Sequence, residues 1–276
     1  MTLSEMRQAL AAAQLRLTKA LGQTFLHDAN QLRRIVAAAE LQPNDSVLEI
    51  GPGLGPLTEL LVARAGRVLA IEKDARLLRL LQARLGRVRN LELIQADALE
   101  YVRQGPADWS GWKLVANLPY SVASALLVEL ASLRQGPERM VVTVQLEVAQ
   151  RLRAAPGQPQ YGLLSLLVQL SYQTTAWFKI PATCFFPRPK VDSACVTLLR
   201  RPQPLLEPAQ AESFRRLVKR AFAQRRKTML KLLQSQWPQT DWSEAFAAVG
   251  LSPKVRAEAV SLEQFAALAR WMGPLQ

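Results

Sequence analysis

Val47-Leu48-Glu49-Ile50-Gly51-Pro52-Gly53-Leu54-Gly55 runs from an apolar strand into a glycine loop, and residues 56–64 continue as a helix. Glycines at such a turn let the backbone approach a ligand closely, because no Cβ stands in the way. A dinucleotide fingerprint needs Gly or Ala at position 56, where this chain has Pro56, so Gly51 and Gly53 fit only part of that pattern. The surroundings repeat the same alternation. Upstream, Asp28 is placed to cap a helix through Ala39, with Leu32, Ile35 and Val36 on one face, and Pro43-Asn44-Asp45 is a turn. Downstream, strands are expected at 67–72, 91–95, 113–116 and 140–145, and helices at 75–85, 121–133 and 147–153. Short apolar strands alternating with helices predict an α/β fold with a parallel sheet covered on both faces.

Several strand ends carry a polar residue. Glu72 ends the second strand, where a carboxylate can accept from ribose hydroxyls, and Asp97 follows the third, where it can meet an adenine amine. Acids scattered on a surface would not recur at that position strand after strand. A glycine loop with such acids but without a pyrophosphate fingerprint suits S-adenosylmethionine better than a nicotinamide dinucleotide.

The tract at 112–116 leads into Asn117-Leu118-Pro119-Tyr120, an amide, a carbonyl ahead of a proline, and an aromatic ring. Proline restricts Leu118 to extended geometry and offers no N–H of its own, so the Leu118 carbonyl points one way. Two acceptors and one ring can hold a planar base that carries an exocyclic amine. The competing reading of the tetrapeptide alone is a plain strand-to-helix turn.

After residue 153 the pattern changes to a helix and two late strands within 163–177 and 194–199, separated by a Pro-rich loop at 181–189. Arg201-Pro202-Gln203-Pro204 is a linker, and helices follow at 208–222, 228–236, 242–249 and 262–272, the last with Ser261 and Gln264 in capping-box spacing. The segment 1–20 reads as an amphipathic helix leading into a loop. The predicted division is therefore an α/β domain over 1–203 and a small basic helical domain over 204–276.

The 276 residues carry 35 Lys and Arg against 22 Asp and Glu, a formal charge of +13, and 49% hydrophobic residues. That excess implies a polyanionic partner, most simply nucleic acid, with attraction that weakens in salt. It is concentrated: Arg215, Arg216, Lys219, Arg220, Arg225, Arg226, Lys227 and Lys231 occur between Phe214 and Lys231 without an acid. Cys184, Cys195 and the single His27 cannot build a usual structural zinc site, and His27 leaves little room for a Ser-His-Asp or Cys-His arrangement. No apolar run is long enough to span a bilayer, and the N-terminal residues lack a signal-peptide layout. A reducing, cytoplasmic setting is expected, with no metal and no membrane partner.

At this point the chain resembles a known family, the small-subunit (16S) rRNA adenine N6,N6-dimethyltransferases, the kasugamycin-resistance methyltransferases of bacteria. The resemblance rests on Gly22-Gln23-Thr24-Phe25-Leu26, Glu49-Ile50-Gly51-Pro52-Gly53-Leu54-Gly55 and Asn117-Leu118-Pro119-Tyr120. It continues through Gln145-Leu146-Glu147-Val148-Ala149-Gln150-Arg151-Leu152 and Tyr161-Gly162-Leu163-Leu164-Ser165. It ends with Phe185-Phe186-Pro187-Arg188-Pro189-Lys190-Val191-Asp192-Ser193 and Gln224-Arg225-Arg226-Lys227-Thr228. One departure is Thr24, where the family usually has Asn or His.

The resemblance implies a Rossmann-like class I methyltransferase sheet, mostly parallel with a late antiparallel strand, plus a small C-terminal helical domain. It implies transfer of methyl groups from S-adenosylmethionine to N6 of two adjacent adenines in a hairpin near the 3′ end of small-subunit rRNA, within the 30S subunit or its precursor. The implied cofactor set is Thr24, Leu26, Glu49, Gly51, Gly53, Glu72, Asp97, Ala98 and Asn117. Asn117, Leu118, Pro119, Tyr120 and Phe185 are expected at the target base, with Tyr120 and Phe185 stacking on it. Arg188, Lys190, Arg225, Arg226 and Lys227 are expected on RNA, the last three from a basic helix. A monomer is expected. The alternatives are a resistance methyltransferase acting on large-subunit rRNA, an RNA-binding assembly or transcription factor without turnover, and a DNA adenine methyltransferase. Replacing Arg225, Arg226 and Lys227 by Gln should weaken RNA binding and lower the slope of log affinity against log salt by about 2 to 3. An unchanged slope in a salt titration would assign the C-terminal helices an architectural role only.

Overall fold

The computed structural model describes residues 1–15, 17, 23–105, 108–224 and 226–274. In chain order the strands are β1 (Phe25–Leu26), β2 (Ser46–Ile50), β3 (Arg67–Glu72), β4 (Leu91–Gln95), β5 (Trp112–Asn117), β6 (Arg139–Gln145), β7 (Tyr172–Ile180), β8 (Phe185–Phe186) and β9 (Ser193–Arg200). Seven of them form one sheet in the order β4-β3-β2-β5-β6-β9-β7, and β1 pairs with β8 in a two-residue ribbon. The strands from β4 through β6 pair in parallel, whereas β9 lies antiparallel to β6 over a register from Arg139↔Leu199 to Gln145↔Ser193. The expected late antiparallel strand is thus present, and the sheet is Rossmann-like.

The first helices are α1 (Leu3–Ala12), α2 (Ala29–Ala38), α3 (Pro56–Val62), α4 (Ala75–Leu85), α5 (Ala98–Gln104), α6 (Ala123–Ser132) and α7 (Leu146–Arg153). Three of them start on aspartates that accept from backbone N–H groups of the first turn, namely Asp28 for α2, Asp74 for α4 and Asp97 for α5. Helix α1 is shorter than the helix expected over 1–20, since Gln14 adopts φ 51° and the right-handed coil cannot pass through it. Helix α5 is not expected from the sequence; its seven residues make only about two turns, too few to show a helical period, and its Asp97 cap is the local signal for it.

By Cα proximity the chain divides into two units, one made of Met1–Ala149 and Thr174–Arg200, the other of Gln150–Gln173 and Arg201–Gln276. Residues 150–173, read from the sequence with the first domain, thus group with the C-terminal segment. The reason is apolar: Tyr161 and Leu166 are buried in one cluster with Phe214, Trp242, Phe246 and Phe265. This second unit holds α8 (Leu163–Gln169), α9 (Pro208–Ala221), α10 (Met229–Gln236), α11 (Trp242–Ala248) and α12 (Leu262–Met272), and the Ser261–Gln264 capping box is formed as expected. The Tyr161 hydroxyl donates to the Val260 carbonyl at 2.9 Å in this core. Tyr161→Phe leaves that carbonyl unpaired and should destabilise the protein by about 1–3 kcal/mol in urea unfolding. An unchanged midpoint would mean the carbonyl has found another donor.

Candidate functional site

The strand order reverses direction between β2 and β5, and open parallel sheets hold ligands beyond the carboxyl ends of the strands at such a point. A cavity of about 260 Å³ lies there. Its walls come from the loop after β2 (Gly51, Gly53), the end of β3 (Glu72, Lys73), the turn after β4 (Ala96, Asp97, Ala98, Leu99), the stretch after β5 (Asn117, Leu118, Pro119, Ser121, Val122) and the approach to β1 (Gln23, Thr24, Phe25). Of the expected cofactor residues, Thr24, Gly51, Gly53, Glu72, Asp97, Ala98 and Asn117 meet on this one cavity.

Both loop glycines are conformationally required. Gly51 and Gly53 have φ of +68° and +59°, which L side chains rarely adopt. A Cβ on Gly53 would stand 2.6 Å from the Phe25 ring, and one on Gly51 would stand 3.2 Å from Pro119 Cγ. The loop is therefore wedged between β1 and the Asn-Leu-Pro-Tyr turn. Glu72 fastens it: one carboxylate oxygen accepts from Gly53 N at 3.1 Å, the other from Asp74 N at 2.9 Å. Burial raises the Glu72 carboxyl pKa, and these backbone donors oppose the rise.

Asp97 does three things at once. It accepts from Leu99 N at 2.9 Å and Glu100 N at 3.3 Å as the cap of α5, pairs with Lys73 at 2.7 Å, and faces the cavity. The Lys73 ammonium is the main reason its carboxyl sits below the ordinary range. Gln23 reaches across to Asp74 at 2.9 Å. Gln23, Phe25, Lys73, Leu99, Ser121 and Val122 line the cavity without having been singled out in the sequence. Gln23 and Phe25 flank Thr24 in the Gly22-Gln23-Thr24-Phe25-Leu26 sequence; for Lys73 the local sequence holds no signal beyond its place after Glu72.

Asn117 has a divided side chain. Its Nδ2 donates to the Thr24 carbonyl at 3.0 Å, and its buried Oδ1 has no hydrogen-bond partner. The Thr24 carbonyl can only accept, so it fixes which way the amide faces. Leu118 N donates to the Thr143 carbonyl at 3.1 Å, and the Leu118 side chain is buried. Tyr120 is half-buried and its hydroxyl lies 2.5 Å from Ser193 Oγ.

Other expected site residues lie off the cavity. Phe185, expected to stack on a base, is 2% exposed and packs with Leu26, Val115, Ile180 and Cys195. In the β1–β8 ribbon Leu26 pairs with Phe185 and Phe25 with Phe186. Successive strand residues face opposite ways, so one of the two phenylalanines must turn inward, and it is Phe185. Leu26 is likewise buried, so its side chain serves the core. Arg188 and Lys190 are exposed in the loop after β8. Arg226 and Lys227 are exposed in a turn between α9 and α10 and not on a helix, because Thr228 takes an extended conformation (ψ 142°) as the cap of α10. Arg225 lies outside the described residues. Several cations of that stretch have partners: Arg215 and Arg216 pair with Glu212, and Arg220 donates to the Leu232 carbonyl.

Glu49 also lies beneath the loop and not at the cavity. It is 1% exposed, and burial raises its carboxyl to about 8, with the Glu72 charge adding to the effect. Among the described residues no group of three His, Cys, Asp or Glu could hold a metal ion, and no helix is long and apolar enough to cross a membrane.

Sheet order and cavity together define a class I methyltransferase. The family model described as ribosomal RNA adenine dimethylase matches residues 14–273, and the chain belongs to that family. It is 40% identical over 262 residues to a "Ribosomal RNA small subunit methyltransferase A" of Moorella thermoacetica, covering 91% of each chain. It is 42% identical over 264 residues to the protein of that name from Pelotomaculum thermopropionicum, covering 91% of this chain and 90% of the relative. Among solved structures it is similar to a dimethyladenosine transferase from Plasmodium falciparum (TM-score 0.73, 25% identity, 88% of this chain and 95% of that one). It is also similar to the 23S rRNA methyltransferase ErmE (TM-score 0.68, 30% identity, 90% and 98%).

The raised Glu49 carboxyl has a stability consequence. Between its unfolded value near 4.5 and its folded value near 8, the folded state keeps a proton that the unfolded state has lost. Stability therefore falls as pH rises through that window, at roughly 1 kcal/mol per pH unit. Glu49→Gln should flatten the fall in Tm between pH 5 and 8; a variant whose profile still tracks the parent would place the titrating group elsewhere.

Proposed function

We propose that the cavity binds S-adenosylmethionine and that the protein methylates N6 of two adjacent adenines in a hairpin near the 3′ end of small-subunit rRNA, during assembly of the 30S subunit. The observation that carries this reading is the Asn117 amide, whose nitrogen is committed to Thr24 and whose buried oxygen has no partner. A buried polar atom without a partner costs about 1–3 kcal/mol, and such an atom at the wall of a cavity is accounted for by a ligand donor. The relatives named for small-subunit methylation support the choice of particle.

The residues suit the cofactor. Gly51 and Gly53 form a cradle that a Cβ would fill, Glu72 faces the cavity with acceptor capacity left for ribose hydroxyls, and Asp97 with Ala98 borders the place of an adenine. Thr24 and Leu26 would border the methionine end, Leu26 through its backbone. When bound, S-adenosylmethionine supplies a methyl group on a positively charged sulfur.

The chain's own part is to make a poor nucleophile competent. The lone pair of an adenine N6 is delocalised into the ring. Asn117 Oδ1 and the Leu118 carbonyl accept the two N6 protons, so the nitrogen can pyramidalise with its lone pair turned to the methyl group. Positive charge developing on N6 then meets two oriented dipoles that need no rearrangement. N6 becomes acidic as it is alkylated and releases its proton to water, so no dedicated base is needed. Pro119 keeps the Leu118 carbonyl extended, and Tyr120 offers its ring to the base, which must first swing out of its own stack.

The basic unit of α9 to α12, within 204–276, supplies RNA-backbone contacts in this reading, with Arg226 and Lys227 exposed on the turn before α10 and Arg188 and Lys190 on the loop after β8. The protein acts as a monomer, and a cytoplasmic setting goes with that substrate. The similarity to ErmE makes a large-subunit substrate the second reading.

Incubation with labelled S-adenosylmethionine and unmodified 30S subunits, 50S subunits or DNA separates these readings. Label is expected in two adjacent adenines of small-subunit rRNA; label in the 50S particle alone would sink the proposal. Asn117→Ala should lose turnover by about 10²- to 10³-fold while holding cofactor affinity within a few fold.

A further inference from the structure

The Asn-Leu-Pro-Tyr turn is tied down by its backbone. Besides the Leu118 bond to Thr143, the Pro119 carbonyl accepts from Val122 N and Ala123 N, each at 3.1 Å. These bonds place the Cα of Tyr120 but leave its side-chain torsions free. At the far end of the ring the hydroxyl lies 2.5 Å from Ser193 Oγ. Since the phenol oxygen lies on the ring axis, a fixed partner there sets χ1, and with it where the ring stands.

Ser193 is a fixed partner. It is fully buried at the first position of β9, in register with Gln145 of β6. The residue before it is anchored on three sides: the Asp192 carbonyl accepts from Leu146 N at 3.0 Å, and its carboxylate accepts from Ala182 N at 2.9 Å and pairs with Lys179 at 2.7 Å. A hydroxyl buried in the interior costs free energy unless it is bonded, and Ser193 Oγ is bonded to the Tyr120 phenol. The serine hydroxyl is thus explained by what it binds. Burial raises the Tyr120 phenol pKa, so the phenol stays protonated and can donate to Ser193 Oγ. Thr24, whose carbonyl orients the Asn117 amide, also approaches the phenol with its side chain.

We propose that Ser193 is a positioning residue that holds the Tyr120 ring, through its hydroxyl, in the place where the ring receives the flipped adenine. The proposal rests on the reading above in which Tyr120 stacks on the target base. It joins two separate segments, Asn117–Tyr120 and Phe185–Ser193, into one device: the ring comes from the first and its stop from the second. Phe185 then contributes to the core under the loop, and Ser193 supplies the contact of that segment with the base-binding face.

Single-turnover and steady-state methylation of unmodified 30S subunits should be compared for Tyr120→Ala, Tyr120→Phe, Ser193→Ala, Ser193→Thr and the double variant Tyr120→Phe/Ser193→Ala. Ser193→Ala is expected to lower kcat about tenfold while leaving KM for S-adenosylmethionine unchanged. Tyr120→Phe should do the same, the double variant should be no worse than either single, and Ser193→Thr should recover most of the loss. Effects that multiply in the double variant, or a wild-type kcat in Ser193→Ala with only Tm lowered, would overturn the proposal. Tyr120→Ala separates the two levels. If it turns over normally, the stacking reading falls and this proposal with it; if it is inactive while Ser193→Ala is normal, only the positioning role falls.

Discussion

The buried carboxylate of Glu72 holds together two turns that the sheet alone leaves independent. It ends β3 and takes Gly53 N with one oxygen and Asp74 N with the other, so the loop after β2 and the start of α4 are set by one side chain. The positive φ values at Gly51 and Gly53 are kept by that bond together with the Phe25 and Pro119 rings that flank the loop. Cavity shape, glycine conformation and the place of β1 are therefore one coupled arrangement, in which a methyl group at either glycine would displace an aromatic or a proline ring.

On the other side of the switch point the same economy appears in amides and carbonyls. The Thr24 carbonyl, presented just before β1, fixes the Asn117 amide, and the Thr143 carbonyl of β6 fixes Leu118. The two acceptors proposed for the base thereby belong to residues held by backbone groups and not by flexible side chains. In that proposed role, preorganised dipoles cost no rearrangement when charge develops, which suits a chain with a single histidine.

The acids recurring at strand ends divide into different tasks. Glu72 and Asp97 reach the cavity, yet each also does structural work, Glu72 on the loop and Asp97 as the cap of α5 and partner of Lys73. Glu49 stays beneath the loop, and burial keeps its proton on over most of the neutral range. Glu49 lies within β2, whose last four residues are buried, whereas Gly51 stands just past the strand end, where the cavity opens.

Much of this was legible in the chain itself. Apolar strands spaced by helices predicted the parallel sheet, Asp28 and the Ser261–Gln264 pair marked helix starts, and the polar residues at 72, 97 and 117 pointed to one cavity, because those signals are local and periodic. Tertiary packing decided the rest. Phe185 and Phe186 are equivalent in sequence, and only the pairing of β8 with β1 turns Phe185 into the core. Residues 150–173 join the C-terminal helices because Tyr161 and Leu166 find their apolar partners there, far along the chain. The stretch around residues 224–228 reads as a basic helix, but the extended Thr228 cap of α10 leaves Arg226 and Lys227 in a turn, and Glu212 and the Leu232 carbonyl engage part of the charge of α9. The sequence alone determined which chemical groups the protein owns and their order along the strands; which face each group looks out from depended on contacts between residues far apart in the chain, since burial belongs to the packed structure and not to any one segment.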